Sequence, residues 1–183
     1  MRTMRMNLLA LALALLPALA SAQTVERTPD GLILRPADDR AADVRLQLVD
    51  DHIVRVSADP DGDFARSPSL MRVPVDARPK FQISQSQDSV RLQAAGIAAE
   101  IALDDGRVTF FDAAGNPLLR ERDGGREFTA ITIEGKPYLS LRQRFEPKTG
   151  EGLYGTGMHQ QGWMNLKGRD VELLQHNIDK PIP

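Results

Sequence analysis

The stretch Ile97-Ala98-Ala99-Glu100-Ile101-Ala102-Leu103-Asp104-Asp105-Gly106-Arg107-Val108-Thr109-Phe110-Phe111-Asp112-Ala113-Ala114-Gly115-Asn116-Pro117-Leu118-Leu119 decides the fold class. Ile97, Ala99, Ile101 and Leu103 recur at every second position, the period of a strand with one buried face. Asp104-Asp105-Gly106 then supplies turn chemistry, because glycine takes the positive φ of a tight hairpin and aspartate bonds its own backbone. Val108 to Phe111 forms the return strand, and Asp112 to Pro117 is a second turn leading into Leu118-Leu119. The unit is a β-meander.

Working outward, the same signals repeat. Val44, Leu46 and Leu48 alternate with Arg45, Gln47 and Val49, and Asp50-Asp51 turns the chain into Ile53 to Val56, a hairpin. Ser69 to Val73, Phe81 to Ser84 and Val90 to Ala94 read as short strands, as do Thr129 to Ile133 and Tyr138 to Phe145. No segment after residue 22 keeps a helical period over three turns. Turn signals recur about every 8 to 12 residues, the spacing of sandwiches and barrels. Strands this short bury their apolar faces when two sheets pack together, so the expected fold is an all-β antiparallel sandwich.

Residues 23–43 are polar and contain Pro29, Asp30-Gly31 and Pro36, and are expected to form a loose lead-in in which only Gly31 to Leu34 makes a short edge strand. Asp59-Pro60-Asp61-Gly62-Asp63 has the acidic look of a calcium loop. The spacing fails: Gly62 stands fourth and Leu70 twelfth, where such a loop needs glycine sixth and glutamate twelfth. A solvated turn is expected, and neither metal nor cofactor is assigned.

Arg2 and Arg5 precede the apolar run Leu8 to Leu19, and Ala20-Ser21-Ala22 offers small residues for cleavage. Residues 1–22 therefore read as a secretory signal peptide, which implies a periplasmic or secreted protein. The run is too short for a membrane span, which needs about 20 residues. Beyond residue 22 the chain holds 21 basic and 25 acidic residues, unclustered, which argues against nucleic acid or an anionic membrane as partner. It has no cysteine, so an exported chain folds on its hydrophobic core alone.

The residues richest in chemistry lie between Glu151 and Asn177. Five of the fourteen glycines, the single tryptophan and two of the three histidines fall in this stretch. Gly152, Gly155 and Gly157 permit an irregular loop. Tyr154, Trp163, His159, Gln160 and Asn177 supply the flat rings and hydrogen-bonding groups that stack on sugars and read hydroxyls. The alternative for Tyr154 and Trp163 is burial in a core or at a domain interface, and His159 and His176 equally suit backbone hydrogen bonds. His52, in a hairpin turn, is given no catalytic role.

Glu151-Gly152-Leu153-Tyr154-Gly155-Thr156-Gly157-Met158-His159-Gln160-Gln161-Gly162, with Asn165-Leu166-Lys167-Gly168-Arg169 and Val171 to Asn177 after it, resembles the end of the N-terminal domain of glycoside hydrolase family 31, in its α-xylosidase-like branch. The hairpin over residues 97–122 resembles the same family's sandwich. The resemblance implies a galactose-mutarotase-like β-sandwich over residues 44–183, incomplete at its C-terminus, belonging to an exported α-xylosidase or α-glucosidase. It implies that Gln175, His176 and Asn177 sit on a loop that enters the sugar pocket, with Trp163 and His159 nearby. Asn177 stands where relatives carry an aspartate, so the contact loses its charge and keeps an acceptor.

Glycoside hydrolysis with retention needs two carboxyl groups about 5 to 5.5 Å apart. The family takes both from a (β/α)-barrel that follows the sandwich, and such a barrel needs about 250 residues. No catalytic residue is therefore expected in this chain. Asp38-Asp39, Asp50-Asp51 and Asp104-Asp105 are adjacent pairs whose side chains diverge in an extended chain, which suits turns. The expected partners are an α-linked oligosaccharide or monosaccharide and the catalytic barrel of the parent chain. The rival reading is a free-standing periplasmic or secreted sugar-binding sandwich.

Overall fold

A computed structural model describes residues 23–38, 40–64, 80–155 and 162–172. The signal segment 1–22, the strand expected at Ser69 to Val73, and the site residues His159, Gln175, His176 and Asn177 lie outside the described residues, as does the C-terminal end of the sandwich. Ten strands and no helix occur among the described residues: β1 (Thr24–Thr28), β2 (Gly31–Arg35), β3 (Asp43–Asp50), β4 (Ile53–Asp59), β5 (Gln82–Gln85), β6 (Ser89–Gln93), β7 (Ile97–Ala102), β8 (Val108–Asp112), β9 (Pro117–Ile133) and β10 (Lys136–Phe145). The chain divides into two compact units, residues 1–118 and 119–183.

In the first unit, β1 to β4 form one antiparallel sheet in chain order, and β5 to β8 form strands of a second. Directly opposed residues share a face. Leu32 opposes Leu46, Leu34 opposes Val44, Val90 opposes Ile101, and Ile101 opposes Val108. These residues, with Leu48, Leu92, Ala99 and Leu103, form one buried cluster drawn from both sheets. Each buried leucine or isoleucine contributes about 1.5–3 kcal/mol, so this cluster is what holds the sandwich together. Backbone hydrogen bonds join the sheets at their ends, from Gly96 N–H to Asp51 O (3.0 Å) and from Ala37 N–H to Leu103 O (3.4 Å). The His52 ring rests on Gly96, where any Cβ would overlap it.

The lead-in expectation is corrected. Residues 24–35 form a full hairpin, and β2 is an inner strand, paired on one side with β1 and on the other with β3. Gly31 enters the ladder because β3 passes so close that a Cβ would overlap the Leu46 carbonyl oxygen. Asp30 fastens the hairpin turn to β3: its carboxylate accepts from Gln47 Nε2 (2.7 Å), Thr28 Oγ1 (2.9 Å) and Arg45 Nη2 (3.3 Å). Polar composition concealed a strand pair because these polar groups bind one another rather than water.

The expected turns form. Gly106 N–H donates to Ala102 O between β7 and β8, and the Asp112 carboxylate accepts from Asn116 N–H (2.8 Å) before β9. Asp59 Oδ1 accepts from its own loop at Asp61 N–H (2.8 Å) and Asp63 N–H (3.3 Å), which makes the calcium-like segment a self-capped turn.

The second unit is organised by the hairpin of β9 and β10. Its two-residue turn, Glu134-Gly135, has φ of 49° and 76°, the doubly left-handed turn that matches strand twist. Leu118-Leu119 and Thr129 to Ile133, read as separate strands, belong to one 17-residue strand. The break in alternation has a local cause. Glu121 opposes Phe145 and Arg126 opposes Gln143, so Arg122-Asp123-Gly124-Gly125 loops out against Arg144 alone. Glu121 and Arg126 close the neck of this loop at 2.5 Å, with both side chains nearly buried. Arg126 Nε also donates to Gln143 Oε1 (3.2 Å).

Candidate functional site

Residues 146–155 and 162–172 form the described part of the glycine-rich segment. Asn165 is its organiser, because Oδ1 accepts from both Leu153 N–H and Lys167 N–H, each at 3.0 Å. Leu166 N–H donates back to Leu153 O (2.7 Å), and the Leu166 side chain is buried. Lys167 Nζ donates to Lys148 O (2.6 Å). Two irregular stretches are thus tied into one platform.

The platform carries unsheltered rings. Tyr154 is 66% exposed, Trp163 47% and Met164 82%. The Tyr154 phenol lies over Gly152, where a Cβ would come within 2.5 Å of its oxygen and push the exposed ring aside. The guanidinium of Arg169 stacks on Trp163 at 4.4 Å from the ring centroid. It is aimed there by a turn in which Arg169 N–H donates to Leu166 O (3.0 Å) and Gly168 takes φ 73°. A cation on the face of an indole adds attraction and removes χ freedom from both partners.

Among the sequence-predicted site residues, Trp163 and Tyr154 fall within the described residues, and both lie exposed on this platform. Asn165 and Arg169 were not anticipated. Their signal was present in Asn165-Leu166-Lys167-Gly168-Arg169, where a glycine three residues after an asparagine announces a turn that sends the next side chain backwards.

Four carboxylates of this unit have partners away from the platform rings. Glu121, Glu127 and Glu146 pair with Arg126, Arg142 and Arg120, and Glu151 accepts from Lys148 N–H. In the first unit, burial lifts the carboxyls of Asp43 and Asp105 above their ordinary value, against the pull of Arg35 and Arg107 respectively. Burial also acts on Asp30, yet the hydrogen bonds from Gln47 and Thr28 and the charge of Arg45 outweigh it and hold that carboxyl low. Each of these groups is fixed within a turn or an ion pair. The exposed rings of Tyr154 and Trp163 make the platform a stacking surface.

Residues 43–180 match the glycosyl hydrolase 31 N-terminal galactose mutarotase-like domain. This chain belongs to that family. Among solved structures, the family 31 domain described here is 56% identical to an α-xylosidase of Xanthomonas citri, with a TM-score of 0.78 over 84% of this chain and 17% of that one. A soil-metagenome α-xylosidase complexed with xylose is 25% identical, with a TM-score of 0.67 over 84% of this chain and 25% of that one. A family 31 glucosidase of Pseudescherichia vulneris is 26% identical over 76% of this chain and 30% of its own length. The chain thus spans less than a third of the relatives it matches, and the shared part is the sandwich.

Proposed function

We propose that this chain is the non-catalytic N-terminal domain of an exported retaining α-glycosidase of the α-xylosidase type, acting on α-linked xylosides. The observation that carries this reading is the hairpin of the second unit. Ile131 opposes Tyr138 on one face, while Ala130 opposes Leu139 and Phe128 opposes Leu141 on the other. Leu139 is 53% and Leu141 59% exposed, and Ile131 and Tyr138 are also open to solvent. A hairpin that leaves these apolar side chains open is built to be covered. The catalytic barrel of the enzyme is the cover assigned here.

The platform of Tyr154, Trp163 and Arg169 then lies on the segment leading to Gln175, His176 and Asn177. In this reading those three residues, with His159 and Trp163, border the sugar pocket and supply neutral hydrogen-bonding groups to the glycan. The xylosidase assignment over a glucosidase rests on the higher identity to the Xanthomonas citri enzyme. Export rests on the leader at residues 1–22.

A domain graft tests the proposal. Residues 23–183 replace the corresponding segment of the Xanthomonas citri α-xylosidase, and hydrolysis of aryl α-xyloside and α-glucoside is measured. The expected result is a folded chimera that cleaves the xyloside in preference to the glucoside, with the isolated chain inert on both. A folded chimera that prefers the glucoside, or turnover by the isolated chain, contradicts the proposal.

A further inference from the structure

The first unit carries two clefts that meet at its open edge. One, of about 530 Å³, is lined by Arg27, Thr28, Phe81, Gln82 and Ile83. The other, of about 690 Å³, is lined by Lys80, Phe81, Gln82, Gln93, Ala94 and Ala95. Each lies within the roughly 300–1,000 Å³ of small-molecule sites, and they share Phe81 and Gln82 as a common wall. Neither belongs to the platform or to any residue assigned above to the glycan.

The lining is chemically one-sided. Arg27 and Lys80 are cations, and no carboxylate stands among the described lining residues. Arg27 reaches across the edge with a hydrogen bond from Nη2 to Ile83 O (3.4 Å), one of its five donors. Gln93 is rigid: its Oε1 accepts from Arg91 Nη2 (3.1 Å) and its Nε2 donates to Ala94 O (2.8 Å). The Gln82 amide, by contrast, has no partner among the described residues. Phe81 packs against the core while also lining both clefts, so it offers them an apolar wall. An apolar ring, a free amide and two separated cations suit a ligand with an apolar face, hydroxyls and a negative charge.

We propose that this double cleft is a surface site for an acidic saccharide, an oligosaccharide bearing a uronic acid, with the carboxylate held by Lys80 and a sugar face on Phe81. The saccharide class follows from membership of a glycoside hydrolase domain family, and the acidic class from the lining.

Calorimetric titration of the full chain with three probes tests it: a glucuronosyl-substituted xylotriose, plain xylotriose and free glucuronate. The substituted oligosaccharide is expected to bind, with both other probes about tenfold weaker, the scale of one charge-assisted hydrogen bond. Lys80 and Gln82 are exposed, so Lys80→Glu and Gln82→Ala should leave the unfolding midpoint unchanged. Lys80→Glu should weaken the acidic probe about tenfold and leave xylotriose unaffected. Equal affinity for acidic and plain xylotriose, no binding of any probe, or undiminished binding by a folded Lys80→Glu variant overturns the proposal. Those outcomes leave the domain graft unaffected, because its readout is xyloside cleavage.

Discussion

The two units handle their apolar residues in opposite ways. In residues 1–118 Leu32, Leu34, Val44, Leu46, Val90, Leu92, Ile101 and Val108 pack in one cluster and lose contact with water. In residues 119–183 Leu166 is the sole hydrophobic side chain buried among the described residues, while Leu139, Leu141, Ile133, Tyr138 and Phe145 stay exposed. Alternation alone does not explain this, since β10 alternates as well as β3 does. What differs is the supply of a second layer. A strand's apolar face is stabilising only when something packs on it, and the first unit provides that partner from its own sequence.

Mutations should separate the units by size of effect. Leu46→Ala removes a side chain wholly enclosed between the sheets and should cost about 3–4 kcal/mol in urea unfolding. A cost under about 1 kcal/mol would mean that the first unit is not the seat of stability.

Asp30→Asn tests the polar fastening of the first hairpin and should cost about 1 kcal/mol at neutral pH, reduced because Asp30 is partly exposed. The sign of its pH dependence follows from its lowered carboxyl. A group whose folded value lies below its unfolded 3.8 contributes stability that is complete above 3.8 and is lost as pH falls through the folded value. The parent chain should therefore lose stability more steeply below pH 3.8 than the variant does. Asp43 and Asp105 act in the reverse direction, since their raised values make the folded state gain as pH falls toward 3.8. Identical acid limbs for parent and variant would show that Asp30 is not fastened as described.

The smallest effect belongs to the hairpin. Leu139→Ser with Leu141→Ser should change unfolding by no more than about 0.5 kcal/mol, because neither residue is buried in this chain. The pair should nevertheless lower self-association in analytical ultracentrifugation, since exposed apolar edge strands invite pairing. A large loss of stability would mean that these leucines are already packed.

The sequence made the central meander and its turns legible because Asp104-Asp105-Gly106 and Asp112 to Asn116 close on their own backbones, a local event. Residues 24–35 were opaque for the opposite reason. Their strand character depends on Asp30 reaching Gln47 and on β3 passing over Gly31, neither of which local composition records. The long β9 was read as two strands because Arg122-Asp123-Gly124-Gly125 interrupts the period, and only the Glu121–Arg126 clasp shows that the strand continues. At the platform, Trp163 announced itself by type, whereas Arg169 became visible only once the Gly168 turn had folded it back.

Hydrogen exchange followed by mass spectrometry on the full chain tests the division most directly. The account predicts that amides of β3, β6 and β7 exchange only through global unfolding, while those of β10 exchange far faster, through local opening. Protection of β10 equal to that of β3 would contradict it, because the hairpin would then be stabilised by this chain alone and would need no cover.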